Sequence, residues 1–184
     1  MDPATHRTGP DEALRERVAS LVRDVPGFPQ PDVVFKDITP VLADHDAYTA
    51  SVAWMAAPFE RITDKVAAIE ARGFILGGPV AFALGTGLVP VRKMGKLPAP
   101  TVAQAYMLEY GEATLEMHLD AIEPGDRVLI VDDVIATGGT AVATAQLVTG
   151  AGGHVVGVAA LLEIVALAGR QRLASFDLRV LLSV

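Results

Sequence analysis

The stretch VLIVDDVIATGGTA at residues 128–141 sets two acids behind an apolar run and follows them with a Thr-Gly-Gly-Thr turn and a helical pattern. In an open α/β sheet ligands bind beyond the carboxyl ends of the strands, so a strand that runs into such a turn marks the expected site. Gly138 and Gly139 let the backbone approach a ligand closely. The N–H groups around Thr137 to Thr140 point outward where the helix begins, and the dipole there favours a phosphate. Asp132 and Asp133 accept hydrogen bonds and repel anions, so their natural partners are sugar hydroxyls or a hydrated Mg²⁺. Either fragment alone reads as a strand end or a helix cap. Together, in strand-to-helix context, they describe a site for a phosphorylated sugar.

Cations are the second chemical group. Arg72 opens an apolar helical stretch, and Arg92, Lys93 and Lys96 lie in RKMGKLPAPT at 92–101. A leaving polyphosphate must have its charge neutralised, which suits arginine and lysine. The four histidines, His6, His45, His118 and His154, share no spacing and read as surface or strand-end residues. With no cysteine in the chain, disulfides, thiol nucleophiles and Cys-ligated metals are excluded.

Several elements must hold these residues. Leu14, Val18, Leu21, Val22 and Val25 recur at helical spacing, predicting an amphipathic helix over 11–25 that stops at Pro26-Gly27, behind a loose tail of about ten residues. Four prolines in PGFPQPDVVFKDITPVL (26–42) predict an extended segment anchored by Phe28 and Phe35. A helix over 46–57 is expected to start at an Asp46 cap and to break at Pro58. From Lys65 strands and helices alternate: strands at 66–69, 88–91, 128–131, 155–162 and 178–182, and helices near 73–84, 139–149 and 167–174. Continuously apolar strands in such alternation predict an α/β fold with a parallel sheet flanked by helices. Between the halves lie the polar segment 92–101 and a β-hairpin near 103–119. The segment near 93–105, with Gly95, Pro98 and Pro100, is expected to lack regular structure and to serve as a flexible lid over the site.

With 184 residues, 51% of them apolar, the chain can bury one full core, so one domain is expected over 1–184. The net charge of −7 argues against a nucleic-acid partner, which calls for a broad basic surface. The longest strongly apolar stretch, Val155 to Leu162, is far short of a bilayer span, and the N-terminus carries no apolar run, so no membrane association is expected and the expected location is cytoplasmic.

The segment at 128–141 resembles the 5-phosphoribosyl-1-pyrophosphate (PRPP) signature of the type I phosphoribosyltransferases: hydrophobic residues, two acids, then a Gly-Thr turn. Five further stretches are similar to the adenine-specific branch of that family: PGFPQPDVVFKDITPVL (26–42), EARGFILG (70–77), PVRKMGKLPAPT (90–101), LEYG (108–111) and EPGDRVLIVDDVIATGGT (123–140). The resemblance runs in order over about residues 14–175. It implies a type I fold with a small N-terminal hood at about 26–42, transfer of phosphoribose from PRPP to adenine giving AMP and pyrophosphate, Mg²⁺ as cofactor, and a homodimer.

Carried over by resemblance, Ala136, Thr137, Gly138, Gly139 and Thr140 hold the 5-phosphate, and Asp132 and Asp133 take the ribose hydroxyls. Ala71 and Arg72 match the pyrophosphate loop, where the family often has a cis peptide without proline. Arg92 and Lys96 add charge on the pyrophosphate side, while Lys93 stays open between ligand contact and a solvated loop. Phe35 resembles the residue that stacks on adenine, Ile164 its counterpart on the other ring face, and the backbone at Val34 and Lys36 reads the base edge. Glu109 of LEYG resembles the acid/base that takes the proton lost as N9 attacks. No residue is expected to bind the metal directly, since Mg²⁺ arrives with pyrophosphate, ribose and water. Two departures are Lys36, where relatives usually carry arginine, and Pro31-Asp32, where they usually carry Pro-Gly. The alternatives are a transferase for xanthine, hypoxanthine or guanine, and a non-catalytic PRPP-sensing regulator. The hood segment and LEYG weigh against the first, and the presence of Arg72, Arg92 and Glu109 against the second.

Overall fold

The computed structural model describes residues 12–107 and 112–184. The chain divides into two compact units, one ending at Trp54 and the other beginning at Met55.

In the first unit, helix α1 (Glu12–Leu21) is shorter than the apolar spacing predicts. Residues 23–26 instead form strand β1 (Arg23–Pro26), which pairs antiparallel with β2 (Val34–Asp37). Valine at 22 and 25 fits a strand as readily as a helix, and the partner strand decides the outcome. Arg23 faces Asp37 and Asp24 faces Lys36 across the pair, and each couple forms an ion pair, at 2.6 and 2.8 Å. The turn between them holds Gly27 at φ +73° and a cis Phe28–Pro29 bond. The proline-rich piece then folds into a short helix α2 (Thr39–Ala43), with Pro40 in its first turn, where no N–H is needed. Helix α3 (His45–Ala56) follows, and its start is capped by Asp44, not Asp46: the Asp44 carboxylate accepts from Ala47 N–H at 2.9 Å. The same carboxylate takes a two-pronged bond from Arg17 of α1.

The second unit is built on a seven-stranded sheet. Its strands are β3 (Lys65–Ile69), β4 (Gly87–Lys93), β5 (Thr101–Met107), β6 (Glu112–His118), β7 (Arg127–Ile135), β8 (His154–Glu163) and β9 (Leu178–Ser183), in the order β5-β6-β4-β3-β7-β8-β9. The run β4-β3-β7-β8-β9 is parallel, and β5 and β6 form an antiparallel hairpin attached to β4 at Arg92 and Lys93. The hairpin therefore begins at Thr101, and residues 101–105, expected to lack regular structure, are paired strand. Helices α4 (Arg72–Leu84) and α5 (Gly139–Gly150) pack on this sheet, α4 on β3, β4 and β7 and α5 on β5 to β8. A short helix α6 (Gly169–Arg172) precedes β9. Val89, Val91, Leu115, Val128, Ile130, Val148 and Val158 belong to the buried core. At the amino end of the sheet, Asp64 clasps Arg127 at 2.8 Å and Lys65 meets Asp126 at 2.8 Å, joining the starts of β3 and β7. No helix of the described residues is long and apolar enough to cross a membrane.

Candidate active site

Strand β7 does not stop before the two acids. It runs through them to Ile135, so Asp132 and Asp133 project from opposite faces of a strand. Pairing with β3 ends at Val131, which frees one edge of β7 where the acids begin. Both acids are buried, each only 6% exposed. Asp132 Oδ1 accepts the N–H of Asp133 at 2.8 Å. Burial, and then the charge of Asp133, push the Asp132 carboxyl well above the usual carboxylate range.

Asp133 Oδ2 lies 2.7 Å from Arg72 Nε, yet no N–H is aligned on that buried oxygen. The pair is held by charge and leaves the oxygen able to accept from another donor. Helix α4 begins at Arg72, directly after a cis Glu70–Ala71 peptide in the expected loop. Gly73 lets α4 press against β7, because a Cβ there would stand 3.0 Å from Asp132 Oδ1.

Beyond Ile135 the chain forms the cradle. Gly138 takes φ +79° as the N-cap of α5, a conformation that a side chain would strain, and no side chain caps the helix start. A Cβ at Gly138 would also lie 2.8 Å from Gly169 O, so the loop rests closely on the start of α6. Thr137, Gly139 and Thr140 stand where the sequence placed them, at a helix N-terminus whose outward N–H groups suit an anion. Ala136 is linked to the same corner through its neighbour Ile135, whose carbonyl accepts from Ile164 N–H at 2.9 Å. Ile164 directly follows β8 and lines a cavity of about 380 Å³ with Glu163, Val165, Gly169 and Arg170. A second cavity, of about 460 Å³, opens between Tyr106 and Gln104 of β5 and Gly139, Val142 and Gln146 of α5.

The cations converge on one carboxylate. Glu70, its side chain 7% exposed, receives Arg92 Nε at 2.9 Å and Lys96 Nζ at 2.8 Å. The structure therefore brings Ala71, Arg72, Arg92 and Lys96 to one corner of the second unit, with Asp133 bound to Arg72. Val34, Phe35 and Lys36 belong to β2 of the first unit. There Phe35 meets Phe28 edge to face at 5.2 Å, and Lys36 is paired with Asp24. Glu109 lies outside the described residues.

Three residues of this region escaped the sequence reading: Glu70, Glu116 and Tyr106. Glu70 stands inside EARGFILG, and its place beside Ala71 was the available signal; nothing in the spacing of Glu116 or Tyr106 set them apart. Burial pushes the Tyr106 hydroxyl up, and the nearby Asp132 charge adds to it, which ties the hairpin to the acids. Among the described residues, no three His, Cys, Asp or Glu side chains are grouped to hold a metal ion.

A parallel sheet carrying two acids and an anion cradle at its carboxyl end defines a class, and residues 46–175 match the phosphoribosyl transferase domain family. The relatives narrow it further. An adenine phosphoribosyltransferase from a Nocardioides species is 56% identical over 181 residues, 96% of this chain and 98% of its own. The crystal structure of adenine phosphoribosyltransferase from Rhodothermus marinus is similar at a TM-score of 0.91 and 53% identity, covering 95% of this chain and all of that one. The enzyme from Giardia lamblia, solved with 9-deazaadenine, follows at 0.87 and 35%, covering 92% and 97%. The chain belongs to the adenine phosphoribosyltransferases, enzymes of purine salvage that form AMP and pyrophosphate from adenine and PRPP.

Proposed function

We propose that this chain carries out its family's reaction with the residues assembled at the carboxyl end of the sheet. One observation carries the reading. A buried acid pair, an uncapped helix N-terminus and a converging set of cations lie at the ends of adjacent strands, and each suits a different part of PRPP. The 5-phosphate sits on Ala136, Thr137, Gly138, Gly139 and Thr140, where backbone N–H groups and the α5 dipole favour an anion. Asp132 and Asp133 take the ribose hydroxyls. Ala71, Arg72, Arg92 and Lys96 face the pyrophosphate.

The residues fit Mg²⁺ without ligating it: Asp133 Oδ2 is a buried acceptor with no aligned donor, suited to a hydroxyl or a metal-bound water. When bound, Mg²⁺ neutralises charge on the pyrophosphate. As the bond from C1 to pyrophosphate breaks, C1 becomes cation-like, and the cations of Arg72, Arg92 and Lys96 stabilise the leaving anion. Phe35 and Ile164 hold adenine by its two faces, and the backbone of Val34 and Lys36 reads its edge. Glu109 accepts the proton that adenine loses as N9 attacks. The turn between β4 and β5 borders PRPP on its pyrophosphate side and helps to exclude water. The active form is a cytoplasmic homodimer.

The test is incubation with PRPP, Mg²⁺ and each purine in turn, with sedimentation of the purified chain beside it. Adenine is expected to be consumed with release of pyrophosphate and guanine, hypoxanthine and xanthine to be left. Preference for a 6-oxopurine overturns the substrate assignment, and PRPP binding without turnover of any purine supports a sensor instead.

A further inference from the structure

Two buried carboxylates hold the turn between β4 and β5. Glu70 takes the side-chain cations of Arg92 and Lys96 and also the N–H of Lys93, at 3.1 Å. Glu116, on β6 directly opposite Arg92, is 4% exposed and takes the main chain. Its Oε1 accepts the N–H groups of Lys96 and Leu97 at 2.8 and 2.9 Å, and its Oε2 lies 3.4 Å from the Thr101 hydroxyl. Arg92 closes the turn by donating from Nη1 to Lys96 O at 3.1 Å. Six donors of the ten-residue stretch 92–101 are thus bound by two acids that carry no part of the cradle.

Burial alone would raise both carboxyls. The bonds from Lys96, Lys93 N–H and Arg92 outweigh it at Glu70, and those from the turn's N–H groups outweigh it at Glu116, so both are held low and charged at neutral pH. Neither acid consumes the turn's capacity to bind an anion. Lys96 Nζ keeps two of its three protons beyond the bond to Glu70, and Arg92 keeps its second terminal nitrogen beyond the bonds from Nε and Nη1. A long, flexible lysine and an arginine are in this way given fixed directions before any ligand arrives, which lowers the ordering cost of binding.

We infer that Glu70 and Glu116 are positioning residues for the pyrophosphate end of PRPP: Glu70 aims the Arg92 and Lys96 cations, and Glu116 fixes the backbone of the turn that carries Lys96. This rests on the proposed contact of those two cations with pyrophosphate. The acids act differently, and that gives the test its asymmetry. Glu70 works through charge, which glutamine lacks, and an amide NH₂ would face cations. Glu116 works mainly through one acceptor oxygen, which glutamine retains.

The experiment measures KM for PRPP and for adenine, calorimetric binding of pyrophosphate at fixed Mg²⁺, and the thermal midpoint. Glu70→Gln and Glu116→Leu are expected to raise the PRPP KM and the pyrophosphate Kd by roughly ten- to a hundredfold, the scale of a binding group misplaced by about 1 Å. Glu116→Gln is expected to stay near wild type, and adenine KM and the midpoint to change little in Glu70→Gln and Glu116→Gln. Should Glu116→Leu fail to fold, Glu116→Asp, which withdraws the carboxylate by one methylene, is expected to raise the PRPP KM in its place. Arg92→Ala and Lys96→Ala separate the two levels of the argument. If they leave pyrophosphate binding intact, the underlying contact is wrong. If they weaken it while Glu70→Gln and the Glu116 variants do not, the positioning role is overturned. A loss spread equally over adenine KM, PRPP KM and the midpoint also overturns it, since that is the mark of a merely structural acid.

Discussion

Replacing Gly73 with alanine probes how tightly α4 is fitted to the acid pair. The added Cβ would stand 3.0 Å from Asp132 Oδ1, 3.1 Å from Val131 O and 3.3 Å from Asp132 Cα. Ordinary contact needs about 3.5 Å, so something must yield by a few tenths of an ångström. Two of the three atoms are backbone of β7, which is paired with both β3 and β8 at Val131 and with β8 at Asp132. They cannot move without bending the sheet, so the yielding parts are the Asp132 carboxylate and the first turn of α4, which begins with Arg72. Overpacking costs about 1–3 kcal/mol, and alanine returns up to about 1 kcal/mol through helix propensity. The net loss centres near 1 kcal/mol, or roughly 2–4 °C in the thermal midpoint for a chain of this size. Because the displaced groups are Asp132 and Arg72, assigned above by proposal to the ribose and pyrophosphate, the PRPP KM is expected to rise about tenfold with adenine KM little changed. Gly77→Ala serves as the comparison. Its Cβ would lie 2.5 Å from the Ala68 Cβ of β3, with neither acid among its nearest neighbours, and should lower the midpoint further. A Gly73→Ala protein with wild-type midpoint and wild-type PRPP KM would show that α4 and Asp132 are not packed as described.

Three other outcomes are expected. Asp132→Asn together with Asp133→Asn should weaken PRPP binding while the fold survives; calorimetry showing unchanged affinity would reduce the acids to a strand feature. Glu109→Leu should lower kcat by about 10²- to 10⁴-fold, with Glu109→Gln keeping more activity; a raised PRPP KM at wild-type kcat would refute proton transfer. For pH, the Arg23 guanidinium and the Thr39 N–H hold the Asp37 carboxyl down to about 2, and Arg127 holds Asp64 lower still. Folded values below the unfolded value of about 3.9 mean that this stability is present above that pH and is lost as pH falls through the folded values. The midpoint should therefore drop more steeply between pH 4 and pH 2 in wild type than in Asp37→Asn or Asp64→Asn, and parallel curves would rule the assignment out.

What could be read from residues alone was whatever depends on local chemistry. Apolar runs gave β3, β4, β7, β8 and β9 to within a few residues, and the Thr-Gly-Gly-Thr turn gave the start of α5, because burial and left-handed glycine leave direct marks on a sequence. The misplaced boundaries had non-local causes. Helix α1 ends early because β2 recruits residues 23–26 into a strand, and that partner lies eight residues further on. Residues 101–105 are strand because β6 pairs with them, despite the prolines just before. Asp44 rather than Asp46 caps α3, and the same carboxylate is held by Arg17 of α1, 27 residues away. Glu70 and Glu116 were invisible for the same reason: each is an ordinary glutamate until folding surrounds it with donors 15 or more residues away in the chain.

The clasp of Asp64 with Arg127 and of Lys65 with Asp126 has a practical consequence for handling the protein. It sits at the amino end of the sheet, and from Arg127 to Asp132 is five strand residues, roughly 16 Å along β7. Loops on that side, such as the exposed turn at Glu123 to Gly125, offer a place for a tether, a fluorophore or a surface linkage. An attached group there would report on the integrity of the domain while leaving the mouth of the site open to small molecules, which a label on the turn between β4 and β5 would obstruct.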